Sequence, residues 1–97
     1  MSLSIGTDVE TRSAVDLRKV GAFRYFEDPT TDVLCCSTEL PDGEMVNWTR
    51  EQPCPPAIKE VIENGGLVYA WNATFEWLAF EHVLGPRYGW PVPKIEQ

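Results

Sequence analysis

The chain of 97 residues is short of histidine, cysteine, positive charge and long apolar runs. Its one histidine and its three cysteines, Cys35, Cys36 and Cys54, form no Cys-x-x-Cys pattern, so we expect neither a zinc site nor a disulfide framework. No apolar run approaches the roughly 18–20 residues that span a bilayer, and the first residues do not resemble a signal peptide. We therefore expect a cytoplasmic protein that does not associate with membranes.

Positive charge is scarce, since eight Lys and Arg residues stand against fifteen Asp and Glu residues and the net charge is −7. A general nucleic-acid coat protein would be basic, so the composition argues against that class. The hydrophobic content of 43% is too high for a disordered chain. The length predicts a single domain, residues 1–97, with one modest core.

The hydrophobic pattern predicts an α/β protein. Strands are predicted at 3–9, 33–40, 45–49 and 67–71, and helices at 15–20, 57–63 and 73–84. Asp42 and Gly43, between the second and third strands, indicate a hairpin. The helix at 57–63 then crosses over to the fourth strand, which is almost wholly apolar and is expected to be a buried parallel strand. The expected architecture is a mixed sheet of about four strands with crossover helices.

Capping residues indicate where two of the helices begin and end. Ser13 is predicted to cap the first helix, and Asn72 is predicted to cap the last. Gly85 and Pro86 are predicted to end that last helix. Because the last helix is apolar on nearly all sides, we expect it to need cover on more than one side, which the sequence up to Gln97 does not supply.

Asp8 and Glu10 are the first candidates for chemistry. Side chains two residues apart on a strand point to the same face, so both carboxylates would lie together at the end of the first strand. Carboxylates are the hard oxygen ligands that Mg²⁺ and Mn²⁺ prefer. The alternative interpretation is a pair of solvated charges at a strand end.

Glu76 is the second candidate, in the first turn of the helix that follows the apolar strand. If that strand lies beside the first, Glu76 would converge on Asp8 and Glu10. The alternative interpretation is an acidic first turn that the helix dipole favours.

Basic and aromatic side chains offer a third, less specific signal. Half of the positive charge falls within thirteen residues, at Arg12, Arg18, Lys19 and Arg24. These side chains could hold phosphates, or they could belong to a solvated loop. Several aromatic residues could stack on bases or belong to the core: Phe23, Tyr25, Phe26, Trp71 and Trp77.

Taken together, these segments resemble a known family. Residues 8–17, Asp-Val-Glu-Thr-Arg-Ser-Ala-Val-Asp-Leu, resemble the first motif of the DnaQ-like 3′–5′ exonucleases, and most closely that of the proofreading domain of phage-type family A DNA polymerases. Residues 72–76, Asn-Ala-Thr-Phe-Glu, resemble the second motif, and residues 87–91 resemble the stretch that follows it. The resemblance covers nearly the whole chain.

The resemblance implies a ribonuclease-H-like fold and two-metal hydrolysis of the terminal phosphodiester of single-stranded DNA at its 3′ end. It implies that the catalytic ligands of Mg²⁺ or Mn²⁺ are Asp8, Glu10 and Glu76. It also implies contacts to the terminal nucleotide from Thr11, Arg12, Asn72 and Phe75.

The chain departs from the family pattern at three places. Glu76 stands where the superfamily usually has Asp, and Trp71 stands where a histidine often occurs. The third motif, a Tyr or His followed by Asp, does not occur before Gln97. We therefore expect an N-terminal fragment of the domain, truncated at its C-terminus and inactive or weak alone, because loss of a general base typically costs about 10²–10⁴-fold.

A second hypothesis belongs to a different class. The chain would be a non-catalytic interaction module of the same fold, which forms a homodimer or pairs with a separately encoded remainder of the polymerase. The feature that favours this hypothesis is the over-apolar last helix.

Overall fold

The computed structural model describes residues 3–94. Its strands form one sheet in the order β3-β2-β1-β4, with β1 at Ser4–Arg12, β2 at Asp32–Glu39, β3 at Met45–Thr49 and β4 at Leu67–Tyr69. β2 runs antiparallel to both β1 and β3, whereas β4 runs parallel to β1. The predicted α/β class, with a mixed sheet of four strands, is confirmed.

The helices lie between and after these strands, except that β2 and β3 follow one another directly. They are α1 at Leu17–Glu27, α2 at Pro56–Glu63, α3 at Ala73–Ala79, a π-helical turn at Phe80–Leu84 and α4 at Gly85–Tyr88. α2 begins at a proline, which has no N–H to leave unpaired in a first helical turn. It connects β3 to β4, as predicted, and it buries Ile58, Val61 and Ile62. None of the helices within residues 3–94 has the length and apolar character needed to cross a membrane.

β1 organises the sheet because it pairs on both of its edges. Ile5, Thr7 and Val9 are buried, whereas Asp8 and Glu10 alternate with them and are exposed. The strand runs three residues beyond the predicted end at Val9, to Arg12, because its pairing with β2 continues after a register shift between Glu10 and Thr11. The alternation therefore places the two acidic side chains on one side of β1, as expected for a strand.

The beginning of α1 differs from the prediction. Asp16, not Ser13, is the N-cap, because its carboxylate accepts a hydrogen bond of 3.0 Å from the Arg18 backbone N–H. The hydroxyl of Ser13 instead lies 2.6 Å from the hydroxyl of Thr31. A contact between segments 18 residues apart has replaced the local cap that the sequence indicated.

α1 also continues well past its predicted end at residue 20. Gly21 interrupts the helix with a φ of +81°, a conformation that glycine adopts without steric cost. The second half of α1 is held by tertiary packing, since Tyr25 and Phe26 are both buried. Packing has therefore outweighed the local break in helical propensity.

The last helical region does not end at Gly85 and Pro86, so that prediction is wrong. The backbone widens into the π turn, where the Gly85 N–H reaches back to the Phe80 carbonyl, and then continues as α4. Gly89, with a φ of +71°, ends the helix instead. Because Pro86 has no backbone N–H, the helix that continues through this residue lacks one backbone hydrogen bond there.

β4 is parallel to β1, as predicted, but it is not a buried strand. It ends at Tyr69 and forms an edge of the sheet, with Leu67 50% exposed and Tyr69 46% exposed. The apolar run therefore predicted the strand correctly, but the prediction that this strand is buried is wrong.

The last helical region finds its cover within the chain, which corrects the expectation that it lacks cover. Leu78, Phe80, Val83 and Leu84 are all buried. The ring of Trp90, from the segment after α4, lies 5.8 Å from the ring of Phe80. The segment after α4, which contains Trp90, Pro91 and Pro93, thus covers the last helical region.

The three cysteines are free thiols. Cys36 is buried, while Cys35 and Cys54 are partly buried. Burial raises the pKa of the Cys36 and Cys54 thiols to about 11, which keeps both uncharged at neutral pH.

Asp32 joins three distant segments at the start of β2. Its carboxylate accepts hydrogen bonds of 2.8 Å from the Arg50 guanidinium and from the Tyr88 hydroxyl. Partial burial raises the pKa of Asp32, but these two donors and the Val33 N–H outweigh burial and lower the pKa below its ordinary value of 3.8. The charge of Asp32 therefore helps to attach α4 to the sheet.

We predict that Asp32→Asn lowers the free energy of unfolding at pH 7 by about 1–2 kcal/mol, because it removes the charge from these hydrogen bonds. A carboxyl pKa that folding lowers stabilises the fold above the unfolded value of 3.8, and this contribution is lost as the pH falls through the folded value. The difference between variant and parent in the free energy of unfolding, measured with urea, should therefore vanish near pH 2. Asp42→Asn, at an exposed hairpin position, is the control, and an equal loss at both pH values would contradict the assignment.

Candidate metal-binding site

The candidate site lies where β1 extends beyond the end of β4. β4 pairs with β1 only at Ser4, Ile5 and Gly6, so no strand covers that edge of β1 from Thr7 onward. There the backbone N–H of Val9 donates a hydrogen bond of 3.2 Å to the carboxylate of Glu76. A helix side chain thus replaces the missing strand.

The sequence around Asn72 explains how Glu76 reaches that edge. Asn72 caps α3, since its side-chain oxygen accepts a hydrogen bond of 3.2 Å from the Phe75 N–H, as predicted. The ring of Phe75 packs 4.8 Å from the ring of Phe26, which fixes α3 against α1. Glu76 follows directly and is only 7% exposed.

The carboxylate of Glu76 interacts with both acidic residues of β1. Burial, and to a lesser extent the negative charges of Asp8 and Glu10, together raise the pKa of Glu76 to about 7 against the lowering effect of the Val9 N–H. The structure therefore places Glu76 within electrostatic range of the two acidic residues that the sequence suggested. A buried carboxyl group with such a shifted pKa, close to other acids, is typical of a functional site.

The donor chemistry of this cluster fits a hard divalent cation, because all three groups are carboxylates. Their side chains do not enclose an ion as they stand: within residues 3–94, no three His, Cys, Asp or Glu side chains lie close enough together to form a metal site. Glu76 is engaged with Val9, while Asp8 and Glu10 are exposed.

The four residues that the resemblance implies as substrate contacts occupy different environments. The hydroxyl of Thr11 lies 2.7 Å from that of Tyr25, and Asn72 serves as the helix cap. Phe75 is partly buried within an aromatic cluster. Arg12 is exposed at the end of β1. Three of the four thus already have partners inside the protein, and Arg12 alone of the four is exposed without one.

The basic stretch is wholly on the surface. The exposed members are Arg12, Arg18, Lys19 and Arg24, and none forms an ion pair with another described residue. Two other basic residues, Arg50 and Arg87, do form ion pairs, both with Asp32, at 2.8 Å and 3.7 Å. The stretch therefore remains available for phosphate groups.

The aromatic candidates divide sharply in the structure. Tyr25 and Phe26 belong to the core, and Trp77 is partly buried, with its indole N–H donating to the Pro93 carbonyl. Phe23 is 63% exposed and Trp71 is fully exposed. Only these last two therefore present a ring to solvent.

Tyr69 is a residue of interest that the sequence reasoning missed. Its ring lies across Gly6 on β1, where an added Cβ atom would lie 2.5 Å from the ring. A glycine inside a strand is a signal of such a close approach and could have indicated it.

Two cavities meet at Tyr69. One, of about 370 Å³, is mostly apolar and is bordered by Phe23, Trp77 and the carboxyl-bearing Glu76. The other, of about 440 Å³, lies over the sheet and is bordered by Asp8 and Trp71. Both volumes fall in the range of small-molecule sites.

Comparison with known proteins gives no relative for this chain: no family model, no curated protein and no solved structure matches it. Any assignment of function therefore rests on the residues and their arrangement.

We predict that Glu76→Gln raises the melting temperature at pH 8, measured with a chelator present, by about 4 °C or more. Between 4.5 and about 7 the folded chain holds a proton that the unfolded chain has released, so Glu76 costs stability as the pH rises through this range. Gln keeps an acceptor for the Val9 N–H without the charge. At pH 4 the variant and the parent should melt together.

The control for this prediction is Glu81→Gln, which removes a charge from an exposed position on the π turn. A Glu76→Gln protein that melts below the parent at pH 8 would contradict the inference that the charged Glu76 carboxylate lowers the stability of the fold.

Proposed function

We propose that this chain carries the first two acidic motifs of a metal-dependent 3′–5′ DNA exonuclease of the DnaQ-like class, related to the proofreading domains of phage-type DNA polymerases. The observation that carries the proposal is the hydrogen bond that the Glu76 carboxylate accepts from the backbone N–H of Val9, the residue between Asp8 and Glu10 on β1. The strand order β3-β2-β1-β4, with β4 the strand parallel to β1, supports the ribonuclease-H-like fold that this class implies.

The proposed ligands of Mg²⁺ or Mn²⁺ are Asp8, Glu10 and Glu76. When bound, the metal ions supply an activated water and stabilise the leaving 3′-oxygen. Asn72 supports the site by capping α3 and so directing Glu76 to β1. The exposed basic stretch, which begins at Arg12, binds the phosphates of the single-stranded 3′ end through charge-assisted hydrogen bonds.

Within residues 3–94, no positioned general base accompanies these carboxylates. The hydroxyl of Tyr88 is engaged with Asp32 at 2.8 Å, and His82 lies on the π turn outside any Tyr/His-plus-Asp pattern. The proposed activity of the chain alone is therefore weak, lower by about 10²–10⁴-fold than with a base in place.

The activity test uses a 3′-labelled single-stranded oligonucleotide with Mn²⁺. We expect slow release of the labelled nucleotide, and we expect Asp8→Ala to abolish it because a carboxylate ligand is lost. Glu27→Ala, an exposed acidic residue at the end of α1, should leave the rate unchanged. If Asp8→Ala releases the labelled nucleotide as fast as the parent does, the assignment of the site is wrong. If the parent releases it rapidly, the third motif is not required for activity.

Metal binding is tested separately from activity. Mn²⁺ should raise the melting temperature of the parent protein in proportion to RT ln(1 + [Mn²⁺]/Kd), because only the folded chain assembles the three carboxylates. The increase should be lost in Glu10→Gln and kept in Glu27→Gln. If Mn²⁺ leaves the melting temperature of the parent unchanged, the carboxylates do not form a metal site.

The second candidate function is an interaction module that dimerises or pairs with the remainder of a polymerase. The last helix no longer favours it, but β4 does, because this short edge strand leaves one row of backbone groups without a strand partner and exposes Leu67. Charged residues on an edge strand oppose such pairing.

Sedimentation velocity tests this second function. If the β4 edge pairs two copies, the parent sediments as a dimer and Leu67→Lys as a monomer. Met45→Lys, on the opposite edge strand β3, is the matched control and should remain dimeric. A parent protein that is monomeric at every concentration would exclude the homodimer.

A further inference from the structure

The cavity of about 440 Å³ over the sheet combines exposed aromatic rings with carboxylates. Trp71 is fully exposed, and Tyr69 is nearly half exposed. Asp8 and Glu39, both exposed, border the same space. This combination differs from the apolar cavity beside Trp77, and neither the proposed metal ions nor the basic stretch explains the two rings.

The rings are placed differently with respect to the sheet. Tyr69 lies against Gly6, which has no side chain to displace it, so its ring is supported on one face by β1. Trp71 follows β4 and directly precedes the cap of α3, where nothing covers it. Exposed aromatic surface that borders a concave site is typical of ligand binding.

The charge of the cavity selects the kind of ligand. Its described lining contains Asp8 and Glu39 but no Lys or Arg, and the whole chain carries a net charge of −7. Anionic ligands are repelled by such a lining. Cations are attracted both by carboxylates and by the negative faces of Trp and Tyr rings, of which Trp is the stronger.

We propose that this cavity binds an organic cation, an alkylammonium or guanidinium group, between the rings of Tyr69 and Trp71 and beside the carboxylates of Asp8 and Glu39. The two sources of such a group are a free small cation and a Lys or Arg side chain of a peptide. This site is distinct from the exonuclease proposal, although Asp8 borders both, and it does not depend on a divalent ion.

The test is a titration followed by ¹H–¹⁵N NMR in buffer that contains EDTA, so that no divalent ion occupies Asp8. The ligands are tetramethylammonium, guanidinium, a short Arg-containing peptide and a short trimethyl-lysine peptide. We expect saturable shifts of the Trp71 indole and the Tyr69 amide that weaken when NaCl is raised, because salt screens the carboxylates. Tighter binding of the peptides than of the free ions identifies a peptide as the source, and equal binding identifies a small cation.

Variants separate this site from its surroundings. Trp71→Ala should weaken binding about tenfold, and because Trp71 is fully exposed this change leaves the fold intact. Glu39→Gln should weaken binding less than Trp71→Ala does, and it should reduce the dependence of the affinity on salt. Phe23→Ala, which removes an exposed ring that borders only the other cavity, is the matched control and should bind like the parent.

Neutral ligands provide the contradicting outcome. tert-Butanol has nearly the shape of tetramethylammonium without its charge, so equal shifts with both would show a merely hydrophobic cavity and overturn the proposal. Preference for a neutral nucleoside such as deoxyadenosine would reassign the rings to base stacking. Absence of saturable shifts with every cation would also overturn it. None of these outcomes bears on the Mn²⁺ and nuclease tests, so the two proposals fail independently.

Discussion

The hydrogen bond between the Val9 N–H and the Glu76 carboxylate is the contact on which the rest of the arrangement depends. β4 is too short to cover β1 beyond Gly6, so a backbone donor in the middle of the sheet would otherwise lack a partner. Glu76 satisfies it from a helix 67 residues away in sequence. The same bond joins α3 to β1, and the Asn72 cap and the packing of Phe75 against Phe26 hold α3 in the position that this bond requires.

This solution concentrates negative charge. A carboxylate that is nearly buried now lies beside Asp8 and Glu10, and its pKa rises to about 7 because burial and both neighbours disfavour its charge. An amide side chain would accept the same hydrogen bond at lower electrostatic cost. The electrostatic cost of holding Glu76 near Asp8 and Glu10 is the physical basis of the metal-site proposal.

Local signals in the sequence predicted most of the elements. The Asp42–Gly43 hairpin, the proline-led α2 and the Asn72 cap depend on neighbouring residues alone, and the structure contains all three. The errors fall where distant contacts compete with local ones. Ser13 bonds to Thr31 instead of capping α1, and packing of Tyr25 and Phe26 carries that helix past Gly21. The wide turn at Phe80–Leu84 likewise has no local signature.

Periodicity and capping act over a few residues, so local patterns were enough to predict the α/β class, the shared face of Asp8 and Glu10, and the place of Glu76 in a capped first turn. Long-range contacts set the edge position of β4, the contact of Glu76 with Val9, and the packing of Tyr69 across Gly6 near an exposed Trp71. Each of these depends on which strands pair and where the pairing stops. Strand pairing joins residues far apart in sequence, so no local pattern can specify it.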